Sequence, residues 1–599
     1  MRTRRDIGCF GTLLPLAPNA LSPGGLLISS RYEADHVFSL PTVYFFLATI
    51  FVFSAARFLP YLLAPSVLRS TPYRRIVSAT RYLSYKSWRF GSRNTQSLGA
   101  YLLAGVGFIF FAAMTLGPQP YYWPTDAHYG NSPPIATRTG WMALACLPFI
   151  LILGSKANLV STLTGVSHEK LNVWHGWISW AMFVLALIHT FPFIIFHQYK
   201  HDLVKTWHDG GLWLTGVIAL VAQAWLTFMS ISWVRNRYYE FFKATHIFFA
   251  ITFFVFFMIH CGFVLTSWDY FIAAAALYGA SLVFAYFKTY FHHGISHTAR
   301  LRLETSHSLR VAVETKSDWT PGQHVFLRFI TGGPHALTAH PFTICSVPKI
   351  HAPDSLDTGG EMIFYLQPRG GLTRRLAAAA SKQPDVGVKV LMEGPYGGLP
   401  ERWSEGFDRT LLIAGGSGCG FTLALVEDWV RKRRLGISSC CDQLHVVLAT
   451  RDPEMRIWYM EELQRIMKVP FMAGVSELTG LSIHFHETYT DVHAANASSS
   501  EDEEKNAGKE RTTTSPRDDD ASSTASLFGV TFFQGRPVVG DAVSRYATQP
   551  GVTVGVSVCG PSGMVHDASA AAANAQRLIT TAHEDAASEL LLHTEAFSY

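Results

Sequence analysis

The sequence predicts a multi-domain membrane protein in which an α-helical bundle of about seven spans precedes an antiparallel β-barrel and an α/β domain. Three observations predict it. Only 16% of the 599 residues are charged, against about 25% in soluble domains, while 49% are hydrophobic and 13% aromatic. Residues 41–288 hold seven apolar stretches of the roughly 20 residues that hydrocarbon requires. From residue 296 the pattern changes to short alternating runs and then to strand–turn–helix units. A net charge of +5 is small for this length and gives no reason to expect nucleic acid as a partner. The eight cysteines, at 9, 146, 261, 345, 419, 440, 441 and 559, form no C-x-x-C pair. That argues against a zinc site, a disulfide framework and an iron–sulfur cluster.

In chain order, residues 1–40 read as an extracytoplasmic segment. Arg2, Arg4 and Arg5, with the short apolar run broken by Pro15 and Pro18, imitate a signal peptide only weakly. The spans read as 41–60, 98–117, 139–155, 171–196, 211–233, 244–265 and 268–287. Residues 41–97 thus comprise the first span and a basic loop carrying Arg69, Arg74, Arg75, Arg81, Lys86, Arg89 and Arg93. The loop between the fifth and sixth spans carries Arg235, Arg237 and Lys243. Positive loops stay cytosolic, so both are expected there, with the N-terminus outside and the large C-terminal part inside. Arg2, Arg4 and Arg5 run against this orientation, from a position distant from the first span.

Residues 296–400 carry the alternating runs Thr298–Leu303, Leu309–Glu314 and His324–Phe329, expected as strands of the barrel. Within 405–599, the strand Thr410–Ala414, the turn Gly415–Gly420 and the helix Phe421–Arg434 open an α/β nucleotide-binding domain. Residues 494–527 are rich in Ser, Asp and Glu and nearly free of large apolar residues, so a disordered surface insert is expected.

The most informative residues are His175 and His189 in the fourth span and His246 and His260 in the sixth. Each pair is 14 residues apart. Fourteen steps of about 100° return to within roughly 40° of the start and climb about 21 Å, so both members face one side at two depths. The two spans run in the same direction, which sets His175 level with His246 and His189 level with His260. Two levels of facing imidazoles suit two b-type haems, closed to further ligands and therefore fitted to electron transfer. A lone intramembrane histidine can merely bond a neighbouring helix, but four at matched spacing outweigh that explanation. Phe183, Phe253 and Phe254 lie between the levels, as gap lining, ordinary packing or lipid-facing surface.

Arg138-Thr139-Gly140, Leu163-Thr164-Gly165 before the histidine span, and Tyr239-Glu240 ahead of His246 resemble the ferric reductase transmembrane domain. Fungal metalloreductases, plant ferric-chelate reductases and NADPH oxidases share that domain, and the resemblance covers about residues 98–290. Downstream, His340, Pro341, Phe342, Thr343 and Ile344 after the Pro321-Gly322-Gln323 turn resemble the flavin motif of ferredoxin–NADP reductase-like modules. Gly370, Gly371, Leu372, Thr373 and Arg374 match its pyrophosphate segment, where glycines admit close backbone approach and Arg holds phosphate. The resemblance implies FAD, with Cys345 replacing a small residue.

Glu393-Gly394-Pro395-Tyr396-Gly397 resembles the hinge into the nicotinamide domain. Gly415, Gly416, Ser417, Gly418 and Gly420 then lie between strand and helix, where free amides and the helix dipole favour a pyrophosphate. Arg451, after the strand Leu444–Ala449, is placed to pair with a 2′-phosphate and so select NADPH; Arg456 competes for that role. Cys559, Gly560 and Pro561 after the strand Val552–Val558 match the family's motif beside the nicotinamide. Relatives end in an aromatic residue that covers the flavin, which implies Phe597 or Tyr599 here.

These parts imply electron flow from cytosolic NADPH through FAD and two haems to an acceptor outside, most simply ferric chelates or cupric ion at the plasma membrane. The relay needs no acid, base or nucleophile, and an iron-uptake protein downstream is a partner it implies. His197 and His201, with His208 and Asp209 following, either hold the metal near the outer haem or are polar residues at a membrane exit. A superoxide-producing NADPH oxidase is the alternative; its usual six spans and cytosolic N-terminus fit the extra first span less well. A scaffold that has lost its chemistry is disfavoured by the intact motifs.

Overall fold

The computed structural model describes residues 35–595, except 92, 124–131, 210, 296, 332–335, 337, 349–359, 400–402, 404–405, 435–440, 469–478 and 489–528. The expected acidic insert, Phe597, Tyr599 and nearly all of the N-terminal segment lie outside the described residues. Two compact units form: Met1–Phe58 with Gly107–Leu282, and Leu59–Val106 with Val283–Tyr599.

Among the described residues, seven helices are long and apolar enough to cross a membrane. They are α1 (Ser39–Leu62), α3 (Leu98–Leu116), α4 (Pro134–Gly154), α5 (His168–Tyr199), α6 (Gly211–Met229), α7 (Tyr239–Cys261) and α8 (Ser267–Phe287); a polar helix, α2 (Thr71–Tyr85), follows the first. In the first unit α4 is central, and nearly all its residues are buried. Phe46 of α1 meets Phe149 of α4 at 4.5 Å between ring centroids. The outer helices keep large apolar side chains such as Phe51, Phe108, Ile251 and Ile272 exposed, a surface that needs lipid as its solvent.

Two span boundaries differ from the periodicity reading for clear reasons. The third span starts at Pro134 rather than 139, because its polar first turn is satisfied internally: Arg138 donates to the carbonyls of Pro118 (2.8 Å) and Pro120 (3.0 Å), and Thr137 bonds Asp35. The sixth covers Tyr239–Cys261 rather than 244–265, stopped by Gly262 at φ 58°, a left-handed cap that glycine adopts without strain.

In the second unit six antiparallel strands form the barrel: β1 (Thr298–Thr305), β2 (Ser308–Thr315), β3 (Gln323–Phe329), β4 (His340–Thr343), β5 (Gly360–Leu366) and β6 (Val386–Gly397). Their order is β4-β3-β6-β1-β2-β5. The Cys345 amide, just after β4, donates to the Ile363 carbonyl of β5 at 2.7 Å, so the two ends of that order meet. Inward residues such as Leu301, Val311, Phe329 and Phe364 fill the core, and the helix α9 (Gly371–Lys382) packs Leu372 and Leu376 against it.

The α/β domain has a six-stranded sheet in which every neighbouring pair of described strands runs parallel. Its strands are β7 (Arg409–Gly415), β8 (Gln443–Thr450), β9 (Leu481–Glu487), β10 (Val530–Gln534), β11 (Thr553–Cys559) and β12 (Glu589–Glu595), with α10 (Cys419–Arg434), α11 (Pro453–Met467), α12 (Val539–Ala547) and α13 (Ser562–Thr581) between them. The order β10-β9-β8-β7-β11-β12 reverses direction between β7 and β11. Ligands of open α/β sheets bind beyond the strand ends at such a reversal.

Candidate functional site

The membrane histidines meet as their spacing requires. His175 and His246 face each other with ring centroids 6.3 Å apart, and His189 and His260 with centroids 5.9 Å apart. A metal taking one nitrogen from each ring at about 2 Å would hold two centroids roughly 6 Å apart, so the spacing of each pair suits one shared metal centre.

What the ring nitrogens do is equally specific. Nδ1 of His175 donates to the Ile150 carbonyl, Nδ1 of His189 to the Ala136 carbonyl, and Nδ1 of His260 to the Leu212 carbonyl, all at 2.8 Å. A carbonyl can only accept, so Nδ1 carries a proton in each of these rings, and in the neutral ring Nε2 holds the lone pair open to a ligand. Such partners orient metal-binding imidazoles generally. His246 Nδ1 has the Ser230 hydroxyl at 3.4 Å instead.

Sequence reasoning missed the surfaces behind these rings. A Cβ at Gly140 would lie 2.7 Å from His189 Nδ1, one at Gly154 2.9 Å from His175 Nδ1, and one at Gly216 2.7 Å from His260. Gly140 and Gly154 repeat the histidines' 14-residue interval on α4, and Gly216 and Ser230 repeat it beside α7. That shared interval was the available signal. Glycines there let a neighbouring backbone carbonyl reach His175, His189 and His260. Phe183 packs edge-on against Phe228, and Phe254 against Phe271, so these two serve helix packing.

The expected acceptor residues are not assembled. His197 is turned to Asp202, Nδ1 to Oδ1 at 2.8 Å, and packs beside Phe193 and Trp213. Among the described residues no group of three His, Cys, Asp or Glu side chains is placed to hold a metal ion.

In the barrel, His340, Pro341, Phe342 and Thr343 form β4, with Thr338 Oγ1 3.0 Å from His340 Nε2. Gly371, at φ 54°, opens α9, whose first turn carries Thr373 and an exposed Arg374. Free amides there and a guanidinium beside them form an anion-binding geometry.

At the sheet reversal, Gly415 ends β7 and leads into Gly416-Ser417-Gly418, and Cys559 ends β11 and leads into Gly560-Pro561. A Cβ at Gly418 would lie 2.3 Å from the Cys559 carbonyl oxygen, and one at Gly415 2.8 Å from Pro561, so only glycine lets the two turns touch. Gly416, at φ 59°, faces open space. Burial pushes the Cys345 and Cys419 thiols up to about 12 and Cys559 well above its ordinary value, keeping all three neutral at physiological pH. Thr343 Oγ1 lies 3.4 Å from Glu595 at the end of β12, which brings the barrel motif to the nucleotide domain. Of the two competing arginines, Arg456 is committed to Glu487 at 2.9 Å and lies over the Phe532 ring, while Arg451 is exposed just beyond β8.

An apolar bundle with stacked histidine pairs, continued by a barrel and a nucleotide-type sheet, defines an integral multi-pass membrane protein with FAD- and pyridine-nucleotide-binding domains. Residues 139–257 match the ferric reductase like transmembrane component, 295–399 an FAD-binding domain and 407–573 the ferric reductase NAD binding domain. The chain thus carries a ferric reductase transmembrane match, followed by FAD-binding and ferric reductase NAD-binding matches. It is 30% identical over 420 residues to "Probable cell surface ferric reductase kap2" of Aspergillus oryzae, covering 67% of this chain and 55% of that protein. It is 28% identical over 413 residues to "Ferric/cupric reductase transmembrane component 7" of Saccharomyces cerevisiae, covering 63% of each. The match thus spans less than two thirds of either relative.

Proposed function

We propose that this protein carries electrons from NADPH across a membrane to ferric or cupric ion, as a metalloreductase. The observation that carries this reading is the two levels of facing histidines, three of whose four rings are locked by a backbone carbonyl with Nε2 left for a ligand. Tightly fitted neutral imidazoles suit two b-type haems, His175 with His246 and His189 with His260. When bound, FAD would take a hydride's two electrons and release them singly, and the haems would pass single electrons over the span.

The chain's own residues supply position. His340, Pro341, Phe342, Thr343, Gly371, Thr373 and Arg374 would hold the flavin and its pyrophosphate. Gly415, Gly416, Ser417 and Gly418 would receive the nucleotide pyrophosphate at the start of α10, opposite Cys559, Gly560 and Pro561. The basic helix α2 and the nucleotide domain pack within one compact unit, and six spans separate the α2 loop from the barrel. An even number of crossings supports both lying on one side, which the positive charge identifies as cytosolic. Likeness to a relative described as cell-surface favours the plasma membrane.

The test is anaerobic, NADPH-driven reduction of a ferric chelate by membranes holding the protein, with His189→Ala as control. Reduction without oxygen, lost in the control, is the expected result. Reduction that needs oxygen and disappears with superoxide dismutase would instead establish an oxidase. Arg451 is the residue proposed to select the 2′-phosphate. Arg451→Ala is expected to raise KM for NADPH about tenfold, the size of one charge-assisted hydrogen bond, leaving NADH unchanged. Equal changes for both nucleotides would remove Arg451 from that role.

A further inference from the structure

The basic loop after the first span does more than fix topology by its charge. Among the described residues, β12 is an edge strand of the nucleotide-domain sheet, with no further strand pairing its outer side. Two residues of α2, one turn apart, meet that edge. Arg81 donates through Nη1 to the Leu590 carbonyl at 3.0 Å and through Nη2 to Glu589 Oε1 at 2.9 Å. The Leu592 amide donates to the Tyr85 hydroxyl at 3.0 Å. The same loop also grips the start of α13: Asn94 Nδ2 donates to the Ser562 carbonyl at 2.7 Å, and Ser87 Oγ lies 3.1 Å from His566 Nδ1.

Both gripped elements belong to the reactive end. Ser562 directly follows Cys559-Gly560-Pro561, and β12 ends at Glu595, 3.4 Å from Thr343 of the flavin motif. Arg74 and Arg75, on the same helix, are explained by topology alone. Arg81 and Tyr85 need a second explanation.

We infer that the loop between the first two spans is a strap that sets the register of β12 against the flavin motif, with Arg81 and Tyr85 as positioning residues for hydride transfer from NADPH to flavin. The inference rests on the electron-transfer reading above. Hydride carries two electrons and one proton from the nicotinamide to the ring, leaving NADP⁺, and its rate falls steeply when the two rings are misplaced. Neither Arg81 nor Tyr85 touches the reacting atoms. Their effect passes through Glu589–Glu595.

The experiment uses the full-length, detergent-solubilised holoprotein and two readouts. Hydrogen exchange of residues 589–595 reports docking, and anaerobic stopped-flow reduction of flavin by NADPH reports hydride transfer. Arg81→Ala is expected to speed exchange across 589–595 and to slow flavin reduction about tenfold, with KM for NADPH and haem content unchanged. Arg81→Lys should recover part of the rate. Arg81→Ala combined with Glu589→Ala should cost less than the two effects multiplied, because the pair acts as one. Unchanged exchange in Arg81→Ala and Tyr85→Phe overturns the strap. Faster exchange with a wild-type flavin rate overturns the positioning role. Wild-type protein whose flavin stays oxidised under NADPH overturns the electron-transfer reading, and exchange then decides docking by itself.

Discussion

Alanine at His175 is expected to halve the haem bound per protein and to lower NADPH-driven ferric reduction on the order of 100-fold, the scale of losing a metal's support. The opposing His246 would be left with its ring facing a void and no partner imidazole. The level formed by His189 and His260 is separate, about 21 Å along the helices, so it should keep its own group and signal. His189→Ala should do the converse. The measurement is haem content with reduced-minus-oxidised spectra of His175→Ala and His189→Ala membranes side by side. If either single variant retains the full complement, the pairing of levels is wrong. If both variants lose everything, the levels are interdependent rather than stacked.

The second large effect concerns residues with no side chain. Gly140→Val and Gly154→Val should each displace the ring they face and deplete the corresponding haem. A Cβ there would stand 2.7 Å from His189 and 2.9 Å from His175 at Nδ1, inside contact distance of the atom that bonds the backbone. Overpacking of this kind costs about 1–3 kcal/mol, and here it also breaks the bond that fixes the imidazole proton. Gly279→Val is the control, since nothing lies within 4 Å of a Cβ at that position. Haem content should fall selectively in the first two variants and stay at the wild-type value in the third. Equal haem in all three would show that the rings tolerate movement and that the close approach carries no function.

The two predictions differ in how far the sequence could lead to them. The histidines announce themselves, because ionisable groups are rare in spans and a 14-residue interval puts them on one helix face. The glycines carry the same interval, yet glycine is common in membrane helices and means little until the ring opposite is known. In the sequence Arg451 leads for the 2′-phosphate and Arg456 competes; that Arg456 pairs with Glu487 is visible only in the fold. His197 and His201 looked like a metal pair one turn apart, but His197 turns to Asp202, a partner selected by the fold of the following loop.

The sequence by itself determined the seven spans, the two histidine levels, the barrel-then-sheet order and the glycine turns, because each rests on local periodicity or on neighbouring residues acting together. The tertiary structure alone decided which carbonyl fixes each imidazole, which glycines admit those carbonyls, and that Arg81 and Tyr85 close an edge strand some 500 residues later. Those contacts join residues whose separation along the chain leaves no periodic trace, so folding must bring them together before either partner has a meaning.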